Sequence, residues 1–179
     1  MSTVPVKNRQ LFINGEWVDA ASKKKLAVEN PATEETIAEV SSGGREDCKR
    51  AVAAASEAMK SWMKLTPYDR AKVLKKTGDL MRERADALAR TMTMEQGKVL
   101  AEAKIETLAA ADVIEWFAEE ARRAYGRVIP ARGPGVYQLA VKEPVGPVAA
   151  FTPWNFPINQ VCRKLSAALA AGFSIIVKA

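Results

Sequence analysis

The chain reads as an α/β protein: a group of amphipathic helices, a short β-arm and an incomplete doubly wound parallel sheet. Three observations predict this. Two apolar runs, "VGPVAAF" (145–151) and "SIIVK" (174–178), enclose a helical segment, which makes a βαβ unit with a right-handed crossover. Within residues 45–125, helical periodicity marks three helices. Residues 127–142 break that rhythm with two short β-type runs around "ARGPG".

The elements follow in order. "LFINGEWV" alternates around Asn14-Gly15, a strong hairpin turn, and "KKLAVENPAT" leads into another turn. From Arg45 to Leu65, the residues Cys48, Ala51, Val52, Ala55, Met59 and Trp62 fall on one stripe, expected to be buried. Thr66-Pro67 supplies an N-cap and a first-turn proline, with Asp69 at the capping-box site. That helix runs toward Arg84 and continues through Met94 to Gly97. A third covers Ala101 to Tyr125, its faces marked by Ile105, Leu108, Asp112, Trp116 and Phe117, with Gly126 as C-cap. The arm comprises Arg127 to Pro130 and Val136 to Lys142. It cannot bury both faces alone, so it pairs with another sheet or subunit. Val145 to Phe151 is a short buried strand, the next helix opens at Pro157 and stops at Gly172, and "SIIVK" is a strand buried on both faces.

Composition narrows the function. With 179 residues, 48% hydrophobic and 27% charged, the chain suits a soluble domain or part of a larger fold. No apolar run is long enough to span a membrane, and Met1 to Gln10 has neither signal nor transit character, which points to a cytoplasmic protein without a membrane partner. The net charge of +6 is spread among acids, as in "REDCKR" and "MRERADALAR". Lys23-Lys24-Lys25, the one tight cluster, suits a solvated hairpin tip, so nucleic acid is not the expected partner. The chain has no histidine, and Cys48 and Cys162 are far apart, so no metal site is expected. Both cysteines lie on apolar helix faces and read as core packing.

Ligands of open α/β sheets bind outside the carboxyl ends of the strands. Thr152, Pro153, Trp154 and Asn155 stand there after the first strand, and Lys178 after the second. The first βα turn has no Gly-x-Gly-x-x-Gly, so any dinucleotide is held differently. Pro153 and Pro157 stiffen the backbone around Asn155. Spacing leaves two roles for that asparagine: a helix cap, the commoner one, or an N–H donor to a developing oxyanion.

"EPVGPVAAFTPWNFP" followed by "AALAAGFSIIVKA" closely resembles the aldehyde dehydrogenase superfamily, and "LFINGEWV", "NPAT", "EQGK" and "YGRVIP" match its N-terminal pattern in order. The resemblance implies that Asn155 donates to the thiohemiacetal oxyanion. It also implies that Thr152, Pro153 and Trp154 lie along the nicotinamide half of NAD or NADP, and that Lys178 binds the adenosine ribose. The implied reaction is oxidation of an aldehyde to an acid through a cysteine thiolate, with a glutamate activating water. Both of those residues belong to later motifs of the family, and Cys162 is no substitute for the nucleophile. Val99 stands where the family often has proline. The chain is therefore expected to be the N-terminal part of a longer enzyme, inactive alone. Its expected divisions are 1–125 for the first part of the cofactor domain, 126–144 for an oligomerisation arm and 145–179 for the first βαβ unit, with the catalytic domain absent.

On the last helix, Ile158, Val161, Cys162, Leu165 and Leu169 form a stripe expected to face the sheet. Phe156, Asn159, Gln160 and Arg163 form a second stripe, which by resemblance lines the aldehyde tunnel. Three of these four are polar, and an arginine fork suits a carboxylate. This pattern, with "EWFAEEARRAYGRVIP", resembles the succinate-semialdehyde dehydrogenase group and implies an ω-carboxylated aldehyde and a homo-oligomer, dimer or tetramer. The other reading is a non-catalytic interaction module that uses the arm and the open sheet edge.

Overall fold

The computed structural model describes residues 9–178. Most of the opening segment and the final Ala179 lie outside the described residues. Strands β1 (Leu11–Ile13) and β2 (Glu16–Val18) form the expected hairpin. Asn14 and Gly15 both take the left-handed conformation that such a turn needs, with φ of 53° and 81°. A second hairpin pairs β3 (Lys25–Glu29) with β4 (Thr36–Ser41). The lysine cluster is not a hairpin tip: it joins the two hairpins, and Lys25 pairs with Glu39 at 3.0 Å.

Four α-helices follow, α1 (Arg45–Trp62), α2 (Pro67–Glu83), α3 (Ala85–Gln96) and α4 (Leu100–Glu120). At the start of α1, Asp47 accepts the N–H groups of Gly44 at 2.9 Å and Ala21 at 3.0 Å, and these bonds hold its carboxyl below the ordinary range. Thr66 caps α2 as its sequence predicts, accepting from the Asp69 N–H at 3.2 Å. The predicted continuation past Arg84 is a separate helix, α3.

Gly126 is not the C-cap of the long helix. α4 ends at Glu120 and tightens into a 3-10 turn at Ala121–Arg123. Gly126 instead precedes β5 (Arg127–Ile129), where a side chain would lie 2.2 Å from the Ala140 carbonyl oxygen of β6 (Gln138–Ala140). It is glycine because the arm's two strands close there.

The βαβ unit forms as expected. β7 (Val148–Phe151) and β8 (Ile175–Lys178) pair in parallel across α5 (Pro157–Ala170), and Gly172 stops the chain after the helix at φ 93°. Both strands are less buried than predicted: Val145 lies before β7 and is 97% exposed, and Ile175 to Val177 are half-buried. One face of this two-stranded sheet opens onto an apolar cleft of about 720 Å³ beneath α1. That cleft also explains Cys48. Cys48, Val52 and Ala55 of the α1 stripe line it, and Cys48 and Val52 are exposed there, whereas Ala55 and Met59 are buried.

The core is a helical layer. Ala71 and Leu74 of α2, Ala110, Ile114 and Ala118 of α4, and Cys162 and Ala170 of α5 form one buried cluster, with Ile158 and Leu169 packed against it. The α5 stripe was expected to face the sheet; instead Ile158, Cys162 and Leu169 rest on α2 and α4. Small alanine side chains allow the three helices to come close. Among the described residues no helix is long and apolar enough to cross a membrane.

The C-terminal end of α5 is tied to this layer by hydrogen bonds. Arg70 is buried on α2; its Nε donates to the Ala170 carbonyl at 3.0 Å, and its NH1 donates to the Leu65 carbonyl after α1. Trp62 Nε1 donates to the Leu169 carbonyl at 3.0 Å. Cations and N–H donors suit the negative end of a helix. Arg70→Met should therefore lower stability by about 1.5–3 kcal/mol, because two carbonyls lose a charged donor. Arg70→Lys should recover only part, since one ammonium does not span both. Thermal and urea unfolding of the three proteins checks this.

Candidate active site

The carboxyl ends of β7 and β8 stand side by side. Phe151 is in register with Lys178, and the Thr152 N–H donates to the Lys178 carbonyl at 3.1 Å. Thr152 is half-buried, and Lys178 is exposed and lines the cleft beneath α1. The two sequence-predicted strand-tip positions are thus brought together by one backbone bond.

Residues 153–156 form the turn into α5. Trp154 is 77% exposed, Asn155 is exposed and Phe156 takes the N-cap position without a side-chain cap bond. The free N–H groups of the first helical turn are satisfied from elsewhere: Ile158 and Asn159 both donate to Glu106 Oε1 of α4 at 3.1 Å. The Asn155 carbonyl accepts from Lys98 Nζ at 3.0 Å, and the Trp154 carbonyl accepts from Gln96 Nε2 at 3.0 Å. Lys98 and Glu106 form an ion pair, and the Lys98 ammonium lies 4.2 Å from the centre of the Phe156 ring. Gly97, at φ 77°, turns the chain between the two donors.

Sequence reasoning missed Gln96, Lys98 and Glu106 as parts of this site. "EQGK" served only as a mark of resemblance. The signal for Glu106 was its place on the face of α4 shared by Ala103, Thr107 and Ala110, where an acid has no reason to be without a partner.

The second α5 stripe divides. Arg163 Nε donates to Asn159 Oδ1 at 2.8 Å, which orients the guanidinium plane. Arg163 also lines a recess of about 240 Å³ with Val113, Trp116 and Phe117 of α4. Gln160 is turned aside and accepts from Lys164 Nζ at 3.0 Å. Among the described residues no group of three or more His, Cys, Asp or Glu side chains comes together.

Cys162 is buried beside this site. Burial, and then the charge of Glu106, push its thiol pKa up to about 11 from an ordinary 9.0. It stays protonated at neutral pH, consistent with packing and not with attack on a carbonyl.

Residues 17–179 match the model of the aldehyde dehydrogenase family. The chain belongs to that family. A glutarate-semialdehyde dehydrogenase of Pseudomonas putida is 48% identical, covering 95% of this chain and 35% of its own length. A succinate-semialdehyde dehydrogenase [NADP(+)] of Escherichia coli is 45% identical with the same two coverages. A 4-(hydroxymethyl)benzenesulfonate dehydrogenase of Comamonas testosteroni is 45% identical over the whole chain and 38% of its own length. Among solved structures, an NADP-dependent enzyme of E. coli superposes with a TM-score of 0.92 at 44% identity, covering 95% of this chain and 35% of that one. The chain spans about a third of the length of the curated relatives it matches.

The raised thiol pKa has two measurable consequences. In native protein at pH 8, Cys162 should be alkylated about a hundredfold more slowly than in unfolded protein, because the thiolate fraction falls about tenfold each time the pKa rises by one; peptide mapping reads this. Stability from the buried neutral thiol should be complete below about pH 9 and decline as pH rises toward 11, since the unfolded chain ionises first.

Proposed function

We propose that these residues supply the oxyanion donor, part of the nicotinamide cofactor site and the substrate-anion grip of an aldehyde oxidation. The proposed reaction is NAD- or NADP-dependent oxidation of an ω-carboxylated aldehyde, succinate semialdehyde or a close homologue, to the dicarboxylic acid. One observation carries the reading: Glu106, not Asn155, caps α5, so the Asn155 amide stands in an exposed turn with no capping task. An N–H donor fixed in this way suits an oxyanion, and such a donor contributes about 3–4 kcal/mol in acyl-transfer sites.

The residues present fit a dinucleotide. Thr152 and Lys178 stand together at the carboxyl edge of two parallel strands, the usual ligand position, and Lys178 borders an apolar cleft of about 720 Å³. In this reading Thr152, Pro153 and Trp154 border the nicotinamide half and Lys178 holds the adenosine ribose. When bound, NAD or NADP supplies the hydride acceptor. The nucleophilic thiolate and the base glutamate of the family lie in motifs other than those of this chain, and Cys162 takes no part.

Phe156, Asn159, Gln160 and Arg163 are assigned to the substrate. Asn159 holds Arg163 Nε, which leaves the far side of the planar fork for a carboxylate beside the Trp116 and Phe117 recess. The names of the relatives support this class, because succinate and glutarate semialdehydes carry a remote carboxylate. The benzenesulfonate relative names another remote anion, whose charge also suits a guanidinium. The arm, with Val128, Tyr137 and Leu139 exposed, is assigned to homo-oligomer contacts.

Two substitutions test the reading in the protein expressed from the whole reading frame. Asn155→Ala should lower kcat by about a hundredfold or more with little change in melting temperature. A stability loss with unchanged kcat would return Asn155 to a structural role. Arg163→Leu should lower kcat/KM for succinate semialdehyde by about ten- to a hundredfold while butanal improves relative to it. Equal effects on both aldehydes would remove the anion grip and leave the dehydrogenase reading standing.

A further inference from the structure

Glu106 takes no part in the mechanism above, although its carboxylate is only 2% exposed. Burying a charge is costly unless it is paired and hydrogen-bonded, so its partners reveal its role. One oxygen accepts two N–H groups of α5, from Ile158 and Asn159. The other meets the ammonium of Lys98, a side chain only 11% exposed. Lys98 also donates to the Asn155 carbonyl and covers the Phe156 ring. Gln96, two residues earlier, holds the Trp154 carbonyl. Every residue from Trp154 to Asn159 except Pro157 is therefore gripped by α4, by the segment leading into it or by the last residue of α3.

This network exceeds what a cap requires. One local Ser, Thr, Asp or Asn serves most helix starts. Here a charged pair from outside the helix fixes the turn from the Asn155 carbonyl onward, through main-chain atoms and a ring, and Gln96 fixes it just before, at the Trp154 carbonyl. The Asn155 amide is located without being occupied.

We propose that Lys98 and Glu106 are positioning residues for the oxyanion donor: Lys98 sets the Asn155 peptide, and Glu106 fixes Lys98 relative to α5. This rests on the reading of Asn155 as that donor. Catalytic donors are sensitive to small displacements, and a shift of about 1 Å costs up to about a hundredfold in rate.

The test is a mutant cycle in the protein expressed from the whole reading frame, assayed with succinate semialdehyde and saturating cofactor. Lys98→Met and Glu106→Gln are made singly and in the Asn155→Ala background. Glu106→Gln keeps an acceptor for the α5 N–H groups while releasing Lys98. Each single variant should lose about ten- to a hundredfold in kcat with aldehyde KM changed less than about threefold. Lys98→Arg, which keeps the cation and its donors, should recover part of the loss. In the Asn155→Ala background either change should cost less than about a further twofold, because it acts through a group already gone.

Full activity in folded Lys98→Met and Glu106→Gln overturns the proposal and leaves the donor reading intact, provided that Asn155→Ala is impaired. Losses that multiply in the double variants also overturn it, by assigning the pair to general stability. So does failure of both single variants to fold. An unimpaired Asn155→Ala overturns the donor reading itself, and this proposal with it.

Discussion

Helix α5 is held at both ends by opposite charges from the helical layer, and the placement of the candidate site depends on that. Glu106 meets its N-terminal N–H groups, while Arg70 and the Trp62 indole meet its C-terminal carbonyls. Each charge has the sign that the helix dipole favours. The apolar contact between α5 and the layer is made largely of alanines, which pack closely but specify position weakly. The polar anchors set how far the helix slides and where its first turn begins. The turn carrying Trp154 and Asn155, and the stripe carrying Asn159 and Arg163, follow from that setting.

The Glu106 charge affects its surroundings in two ways. Toward the turn it organises Lys98 and the α5 backbone. Toward the core it adds to burial in raising the Cys162 thiol. A single buried carboxylate thus helps to order the main chain beside Asn155 and to keep a nearby thiol protonated. The cost of burying it is offset by a cation and two helix N–H groups, which is the condition under which buried charges persist.

Much of the local structure was legible in the sequence because it depends on short-range stereochemistry. Asn14-Gly15 permits a tight turn with both residues left-handed, Thr66-Pro67 starts a helix, Pro157 fits the first turn of α5, and Gly172 stops the chain. The parallel pairing of "VAAF" with "IIVK" across that helix follows from its length and the β-branched character of the second run. Burial was less legible. Periodicity showed that Cys48 and Val52 share a face with Ala55, but not that this face borders an open cleft. Gly126 looked like a helix stop, and only the approach of Ala140 gives its actual reason.

The sequence by itself determined the family resemblance, the order of the elements and the residues at the strand tips. These are encoded by nearest neighbours and by patterns along one segment. Only the tertiary structure decided how those residues are held. Gln96 and Lys98 lie nearly sixty residues before the turn they grip, and Glu106 caps a helix whose own N-cap residue has no capping side chain. Ile158, Cys162 and Leu169 of the predicted sheet-facing stripe pack instead against residues of α2 and α4. A hydrogen bond between distant segments leaves no periodic trace along the chain. Its physical origin is the need of a buried charge for partners, which becomes visible only once the fold has buried it.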